Sequence, residues 1–421
     1  MTPSPIESTY FRKGFGLKTE VQGTLNADYS GHLVDLLRER DYVLTAGDVT
    51  VRLAREFGFC YGVERAVEYA YQARSKFPDR RIVLVGEIIH NPHINTKLRA
   101  LGVNILEPTN GSFDYSVVTP EDVVIIPAFG VAIRDFQILR EIGCVVVDTT
   151  CGSVLNVWKR VESYAREGYT ALIHGKYYHE ETRATASQVH RYPDRHYLVV
   201  RDMAEARLVC DYIEGKLDSV MLMERLGRGA SPGFDPSTHL RRIGVANQTT
   251  MLASESLSIA AEVGNAIERA SGLEGRASNF RSFDTICSAT QERQDAVQAL
   301  LAEPLDVMVV VGGYNSSNTL SLAAMCSERV ATYHVEDATC IDAERGTIRH
   351  KPTGQAAEIE ESDWLPEDRP IIVGITAGAS TPNNKIGESV ARIFATRGVT
   401  VGEAAAWEVP VQEISREAGV E

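Results

Sequence analysis

Three cysteines in this chain stand apart from the others. Cys60, Cys151 and Cys287 each follow a short strand-like or glycine-rich segment and each opens an amphipathic helix. After Cys60, Val63, Ala66, Val67 and Ala70 recur at helical spacing; after Cys151, Val154, Val157, Trp158 and Val161 do; after Cys287, Ala296, Val297, Leu300 and Leu301 do. Three thiolates from distant segments can hold zinc, an iron–sulfur cluster or nothing. Zinc sites usually take two ligands from a close CxxC-type pair, and the chain has none. Cluster-binding ferredoxins supply four cysteines. Three would leave one iron of a [4Fe–4S] cubane open, and an open metal position is a Lewis acid that suits chemistry on a hydroxyl. The other four cysteines read differently. Cys144, Cys210 and Cys326 look like buried small apolar residues, while Cys340 sits in a polar stretch. An odd total of seven in a long chain argues against a disulfide framework.

A second group of residues suits an anion. Asn315, Ser316, Ser317 and Asn318 stand where a helix should begin, as do Gly378, Ala379, Ser380 and Thr381, with Pro382 fitted to a first helical turn. Helix starts built of small residues offer free N–H groups and a favourable dipole to negative charge. Either loop alone reads as an ordinary N-cap; two at equivalent strand ends favour a phosphate-type ligand. His90 and His179 also end equivalent strands, and such a pair suits anion binding or proton transfer. Glu181 lies just past His179, and Thr249 and Thr250 follow Gln248. A carboxylate and a hydroxyl near an open metal could deliver protons to a leaving oxygen, and local spacing leaves Glu180 and Glu181 both eligible.

The elements that must position these residues repeat three times. After each cysteine helix a β-branched run ends in a polar loop: RIVLVGEIIHN, YTALIHGKYYHEE and LDVMVVVGGYNSSN. His90 lies 30 residues after Cys60, His179 lies 28 after Cys151, and Asn315 lies 28 after Cys287. A further strand and polar loop follow each time, in VVIIPAFG, RRIGVANQTTM and PIIVGITAGASTPNN. Alternating strands and helices predict parallel α/β units, and ligands bind such sheets beyond the carboxyl ends of the strands. The expectation is an α/β trefoil of three pseudo-equivalent domains around a central cavity, at 46–143, 144–280 and 281–399. A segment 1–45, a helix in HLVDLLRER with an irregular lead, precedes them, and a tail 400–421 follows. GRGASPGFDPST is a loop inside the second unit.

Composition bounds the rest. Apolar residues make up 44% and charged residues 24%, enough to bury real cores. The longest apolar run, Val123 to Ile133, is broken by Pro127 and Gly130 and falls short of the ~20 residues that span a bilayer. No basic start or apolar signal core opens the chain, so a cytoplasmic protein is expected. A net charge of −14 argues against nucleic acid as a partner. It also requires any anion site to be locally positive or rich in neutral donors.

The motifs GFCYGVERAV, EIIHN, DTTC, HGKYYHEET, NQTTM, TICSATQERQ, NSSN and TAGASTP, in that order, resemble the 4-hydroxy-3-methylbut-2-enyl diphosphate reductases, from about Thr45 to about Val399. NTKLRALGV, HGKYYHEET and GFDP…ANQTTML are most similar to the longer plant and cyanobacterial branch. The resemblance implies a [4Fe–4S] cluster on Cys60, Cys151 and Cys287. It implies diphosphate contacts from His90, His179, Ser316, Ser317, Asn318 and Ser380, and hydroxyl and proton-relay roles for Glu181 and Thr249 with Gln248 beside them. The implied reaction is two-electron reduction of the allylic alcohol to isopentenyl and dimethylallyl diphosphate with loss of water, the last step of the methylerythritol phosphate route to isoprenoids, with a ferredoxin- or flavodoxin-type electron donor. An iron–sulfur hydro-lyase acting on another small phosphorylated alcohol is the alternative. Two residues depart from the common bacterial pattern: Phe129 stands where a histidine is frequent, and Gly152 where a proline is. His93, Arg134 and Lys176 are candidates to supply the missing donor, with Lys176 favoured by its repeat-equivalent position.

Overall fold

The computed structural model describes residues 9–109, 111–366 and 368–400, so all of the expected tail but its first residue lies outside them. The β-branched runs form strands buried on both faces, as parallel sheets covered by helices require. The first sheet runs Tyr10–Phe11, Val145–Asp148, Val123–Ile126, Ile82–Val85, Val103–Leu106, all parallel. The second runs Phe280–Ser282, Ile243–Asn247, Thr170–His174, Tyr197–Val200, also parallel. The third runs Ala331–Val335, Val307–Val311, Ile371–Ala377, Val49–Leu53 and then Val43–Ala46, the last antiparallel.

Each cysteine caps a helix: Cys60 for α1 (Tyr61–Lys76), Cys151 for α2 (Gly152–Arg166) and Cys287 for α3 (Ser288–Leu300). The strand before a cysteine and the helix after it serve different sheets. Val49–Leu53 pairs in the third sheet, yet α1 packs Ala66, Val67 and Ala70 among Ile82, Leu84 and Ile125 of the first. Val145–Asp148 pairs in the first sheet, and α2 packs Val157, Val161 and Tyr164 against Ala171 and Ile173 of the second. Phe280–Ser282 pairs in the second, and α3 packs Val297 and Leu300 against Met308 and Val310 of the third. The chain therefore steps from sheet to sheet at each cysteine and closes a ring of three. Val145–Asp148, beyond the boundary expected at 144, completes the first sheet, and Val49–Leu53, inside the expected 46–143, belongs to the third.

The segment before the first unit is more ordered than its irregular reading. It holds the strand Tyr10–Phe11 and a helix Lys18–Tyr29 besides the expected helix, which spans His32–Glu39. Val21 and Tyr29 join the first core, while Val34 and Leu37 join the third. The Asp28 carboxylate accepts from Tyr71 (2.7 Å) and Lys97 (2.8 Å), tying this segment to the first unit. A small antiparallel sheet, Ile341–Asp342, Thr347–His350 and Ile359–Ser362, is added to the third unit. Among the described residues, no helix is long and apolar enough to cross a membrane.

One charged side chain pins the ring. Arg293 on α3 is 3% exposed. It donates to the carbonyls of Gly58 (2.8 Å) and Phe59 (3.2 Å), in the loop that leads to Cys60, and to Ala289 in its own helix. Removing it leaves buried carbonyls without donors. Arg293→Met is expected to cost about 2–4 kcal/mol, seen as a lowered thermal unfolding midpoint. Arg293→Lys should recover only part of the loss, because an ammonium cannot span the same fan of acceptors.

Candidate active site

The six polar loops lie at the carboxyl ends of strands in all three sheets, and the three cysteines lie at the starts of α1, α2 and α3. Cys60, Cys151 and Cys287 are partly exposed and free, whereas Cys144, Cys210, Cys326 and Cys340 are buried. Cys60 lies near both of the other two, Cys151 and Cys287. A Cβ on Gly62 would stand 2.4 Å from Cys151 Sγ and 3.9 Å from Cys60 Sγ, so only glycine fits between the two thiols. Burial pushes the Cys287 thiol up to about 11, with the Thr290 hydroxyl and N–H opposing and Cys60 and Glu181 adding to the rise. Burial also raises Cys60, whose Cys151 neighbour adds to the shift while Arg293 opposes it. Thiols held up in this way ionise when a metal takes the proton's place. Three soft sulfur donors, each at the positive end of a helix dipole and spaced by a glycine, fit an iron–sulfur cluster.

Next to the thiols is a pocket wall of buried donors. His90 is 9% exposed; its Nδ1 meets Glu87 Oε2 at 2.9 Å, and its Nε2 has no hydrogen-bond partner among the described residues. His179 Nδ1 accepts from the Glu181 N–H (3.2 Å), so the neutral ring carries its proton on Nε2. Burial, then His90 and Lys176, hold its pKa well below the ordinary histidine range. The two imidazoles meet edge to face at 4.9 Å. Asn318 Oδ1 accepts from the Ala379 N–H (2.8 Å), which turns its Nδ2 away, buried and unpartnered. Ser380 Oγ reaches the His90 carbonyl (3.2 Å) and Ser316 Oγ (3.4 Å), and Asn91 Nδ2 holds the Ser380 carbonyl (2.8 Å). Buried donors with nothing to donate to cost free energy until an acceptor arrives.

Lys176 Nζ donates to Ser317 Oγ at 3.3 Å, and Gln248 Nε2 approaches the same oxygen at 3.3 Å. Burial, then Lys351, lowers the Lys176 pKa. Phe129 supplies no donor. It stacks on His90 (4.3 Å between centroids, 21° between planes) and lies edge-on to His179 at 5.8 Å. Gly130 beside it has φ +74°, and a Cβ there would meet Trp158 at 2.4 Å, so the loop that aims Phe129 needs glycine. His93 instead lies against Tyr29 in the N-terminal segment.

Burial separates the two glutamates. Glu181 is 2% exposed and its Oε1 accepts from the Thr249 N–H at 2.6 Å; Glu180 is half-exposed, 3.6 Å from His90 Nε2. Burial raises Glu181 to about 6, with hydrogen bonds from Thr249 opposing the rise. Gln248 accepts from the Lys176 N–H (3.1 Å) and Thr182 Oγ1 (3.0 Å), which fixes the loop carrying Thr249. The expected polar residues lie at strand ends and helix starts linked by these contacts, and the cysteine loops join them through the Cys60 N–H on the Ala379 carbonyl (3.2 Å) and the Cys287 N–H on the Thr249 carbonyl (3.4 Å). A cavity of about 750 Å³ behind the Cys151 loop, lined by Tyr10, Phe136, Trp158 and Tyr192, holds none of them. Arg293, Gly62 and Asn91 were not singled out by the sequence reading. A charged residue on the apolar stripe of α3 was the available sign of Arg293.

Known proteins resemble this chain closely. The LytB protein family profile matches residues 51–394. The chain is 47% identical over 395 residues to the 4-hydroxy-3-methylbut-2-enyl diphosphate reductase of Thermosynechococcus vestitus, covering 93% of this chain and 95% of that one. It is 46% identical over 395 residues to the enzyme of the same name from Gloeobacter violaceus, covering 93% of each. A solved structure of (E)-4-hydroxy-3-methyl-but-2-enyl diphosphate reductase, the terminal enzyme of the non-mevalonate pathway, matches with TM-score 0.50 and 27% identity over 82% of this chain and 98% of that one. The Plasmodium falciparum reductase shares the fold, with TM-score 0.60 and 21% identity over 82% and 87%.

The raised Glu181 has a measurable consequence. Its folded pKa, about 6, lies above the ordinary value of 4.5. The folded state therefore binds more protons between those pH values, and stability falls as pH rises through that window. Compared with Glu181→Gln in metal-free protein, the parent should lose about 2 kcal/mol between pH 4.5 and 7. Denaturant titrations at the two pH values check this.

Proposed function

This chain belongs to the LytB protein family, and on that premise we propose that it reduces 4-hydroxy-3-methylbut-2-enyl diphosphate to isopentenyl and dimethylallyl diphosphate with loss of water. The observation that supports this most directly is that three cysteine-capped helix starts lie in one region with the buried His90 and His179 imidazoles and with Asn318 Nδ2, a buried donor that has no partner among the described residues. Cys60, Cys151 and Cys287 are the proposed ligands of a [4Fe–4S] cluster, which when bound supplies electrons singly and the Lewis acidity that weakens the carbon–oxygen bond. The balance is one alcohol, two electrons and two protons in, one alkene and one water out. The electrons come from a carrier of ferredoxin or flavodoxin type.

The chain's own residues divide the remaining work. His90, His179, Lys176, Ser316, Ser317, Asn318 and Ser380 take the diphosphate. Holding that unreactive end fixes the allylic carbon at the cysteine loops, so binding energy is converted into orientation. Glu181, with its pKa raised to about 6, keeps a population of neutral carboxyl near neutral pH. It can pass that proton to the leaving oxygen, directly or through the Thr249 hydroxyl. Gln248 orients Thr249. Phe129 excludes water and holds the two imidazoles apart from solvent.

Two sets of variants test this, on protein purified anaerobically and assayed with a dithionite-reduced mediator. Cys60→Ser, Cys151→Ser, Cys287→Ser and Gly62→Ala should each lose most iron and sulfide, the last because its Cβ takes the place of the Cys151 sulfur. Cys144→Ser, Cys210→Ser and Cys326→Ser should stay loaded. Full iron content in Cys151→Ser would reject the cluster assignment.

The second set separates binding from chemistry. Lys176→Met removes a charge-assisted donor worth roughly 1.5–3 kcal/mol and should raise KM with kcat largely kept. Glu181→Gln should lower kcat by ~10²–10⁴ with KM and iron content retained. Equal loss of kcat in both variants would remove the division of roles. Redox-neutral water loss by the unaltered protein would mark a hydro-lyase instead.

A further inference from the structure

The proposed reaction consumes two electrons from outside the chain, so the cysteine site needs an approach other than the substrate's. His179, Glu181, Thr249 and Asn318 are all buried. The cysteine loops, by contrast, come to the surface. The first residue of each cysteine-capped helix is exposed: Tyr61, at 79%, Gly152 and Ser288. The first turns of α1, α2 and α3 thus bring the chain beside each cysteine to the surface.

The chemistry of that surface is unusual for this chain. One wall of a cavity of about 600 Å³ is the outer face of α2, with Ser153, Asn156, Lys159 and Arg160; the other is the turn from Asp284 through Cys287 to Ser288. Lys159 and Arg160 are exposed, and neither has an ion-pair partner among the described residues. The Arg160 guanidinium lies 4.0 Å over the ring of Phe283, itself 43% exposed. Asp284, the acid in the cavity wall, is engaged by the Ile286 N–H at 3.0 Å; Glu64 and Glu292 are the exposed acids on the first turns of α1 and α3. On the cavity wall itself Lys159 and Arg160 outnumber the one acid, Asp284, and Arg160 lies on the exposed ring of Phe283, so this spot is locally basic on a chain of net charge −14. Arginine and aromatic residues are also the types enriched at protein interfaces.

We propose that the face centred on the cavity between α2 and the Asp284–Ser288 turn is the docking site for an acidic one-electron carrier protein. The inference rests on the reductase reading above and adds the place and the charge of the partner. Opposite charges steer such an encounter and align the carrier against the Cys287 and Cys151 loops. A small, transient contact suffices for electron transfer.

The test uses cluster-loaded protein under anaerobic conditions, with a reduced acidic plant-type [2Fe–2S] ferredoxin as probe and dithionite-reduced methyl viologen as the small mediator. Lys159→Glu and Arg160→Glu should each raise the KM for ferredoxin roughly tenfold or more at low salt. Turnover with the viologen and iron content should stay as in the parent. In the parent, added salt should raise the ferredoxin KM, and in the variants this dependence should flatten. Arg207→Glu, on the helix Met203–Ile213, changes net charge equally and should leave that KM unchanged. The proposal is overturned if the two reversals leave the ferredoxin KM unchanged, if Arg207→Glu matches them, or if they slow viologen and ferredoxin turnover alike. It is also overturned if NADPH alone reduces the parent. Absence of turnover with either reductant in the loaded parent would instead sink the reductase reading.

Discussion

Everything in this molecule depends on where the chain crosses between sheets. Each cysteine sits at the point where a strand paired in one sheet becomes a helix packed on the next. A helix start carries unsatisfied N–H groups and the positive end of the dipole. Three such starts, brought together by a closed ring of three sheets, set helix dipoles against the burial that keeps the Cys60 and Cys287 thiols protonated until a metal takes the proton's place. The arrangement leaves little freedom. Gly62 is the spacer between Cys60 and Cys151, and Arg293 ties α3 to the loop before Cys60. A shift in any one sheet would move a thiol relative to the other two, so the metal site reports on the packing of the whole ring.

The same ring explains how an acidic chain can hold an anion. The pocket wall draws Ser316, Ser317 and Asn318 from the third unit, His179, Lys176 and Gln248 from the second, and His90 from the first. Most are neutral donors. A neutral donor set is cheaper to bury than a cluster of cations with no counter-charge. Lys176 is the cation that faces Ser317, and its pKa is already lowered by burial. Phe129 fits this economy: it gives up a donor but stacks on His90 and keeps water from the imidazoles.

How much of this was legible in the sequence follows the range of the interactions. The cysteine helices, the β-branched strands and the polar loops at their carboxyl ends are set by local periodicity, and the equal offsets from cysteine to loop revealed the threefold plan. The exchange of strands between sheets was not legible, because nothing in VTVRL or VVVD says which sheet it will join; that is decided by pairing across long sequence separations. The helix Lys18–Tyr29 was missed because it buries only Val21 and Tyr29 and so lacks an apolar stripe. The strands Thr347–His350 and Ile359–Ser362 were hidden by their charge: the first buries only Ile348 and His350, and the second buries none of its residues. Glu181 and Glu180 differ in burial, which adjacent positions in the sequence do not reveal.

The charge around Glu181 has a direction. Its carboxyl is fully buried, accepts from Thr249 and already feels the Cys287 thiol, while His90 is the group that favours its ionised form. A diphosphate against His90, Lys176 and Ser317 adds negative charge on the same side, and like charge disfavours a second anion. Occupation of the pocket therefore opposes loss of the Glu181 proton. It also engages His90, the group that had drawn the proton away. An acid whose proton is held more firmly when substrate is present is matched to a leaving hydroxyl, which needs that proton only once the carbon–oxygen bond begins to break. The burial that makes Glu181 costly to the fold is thus what keeps part of its carboxyl neutral near pH 7, as the proposed acid role requires.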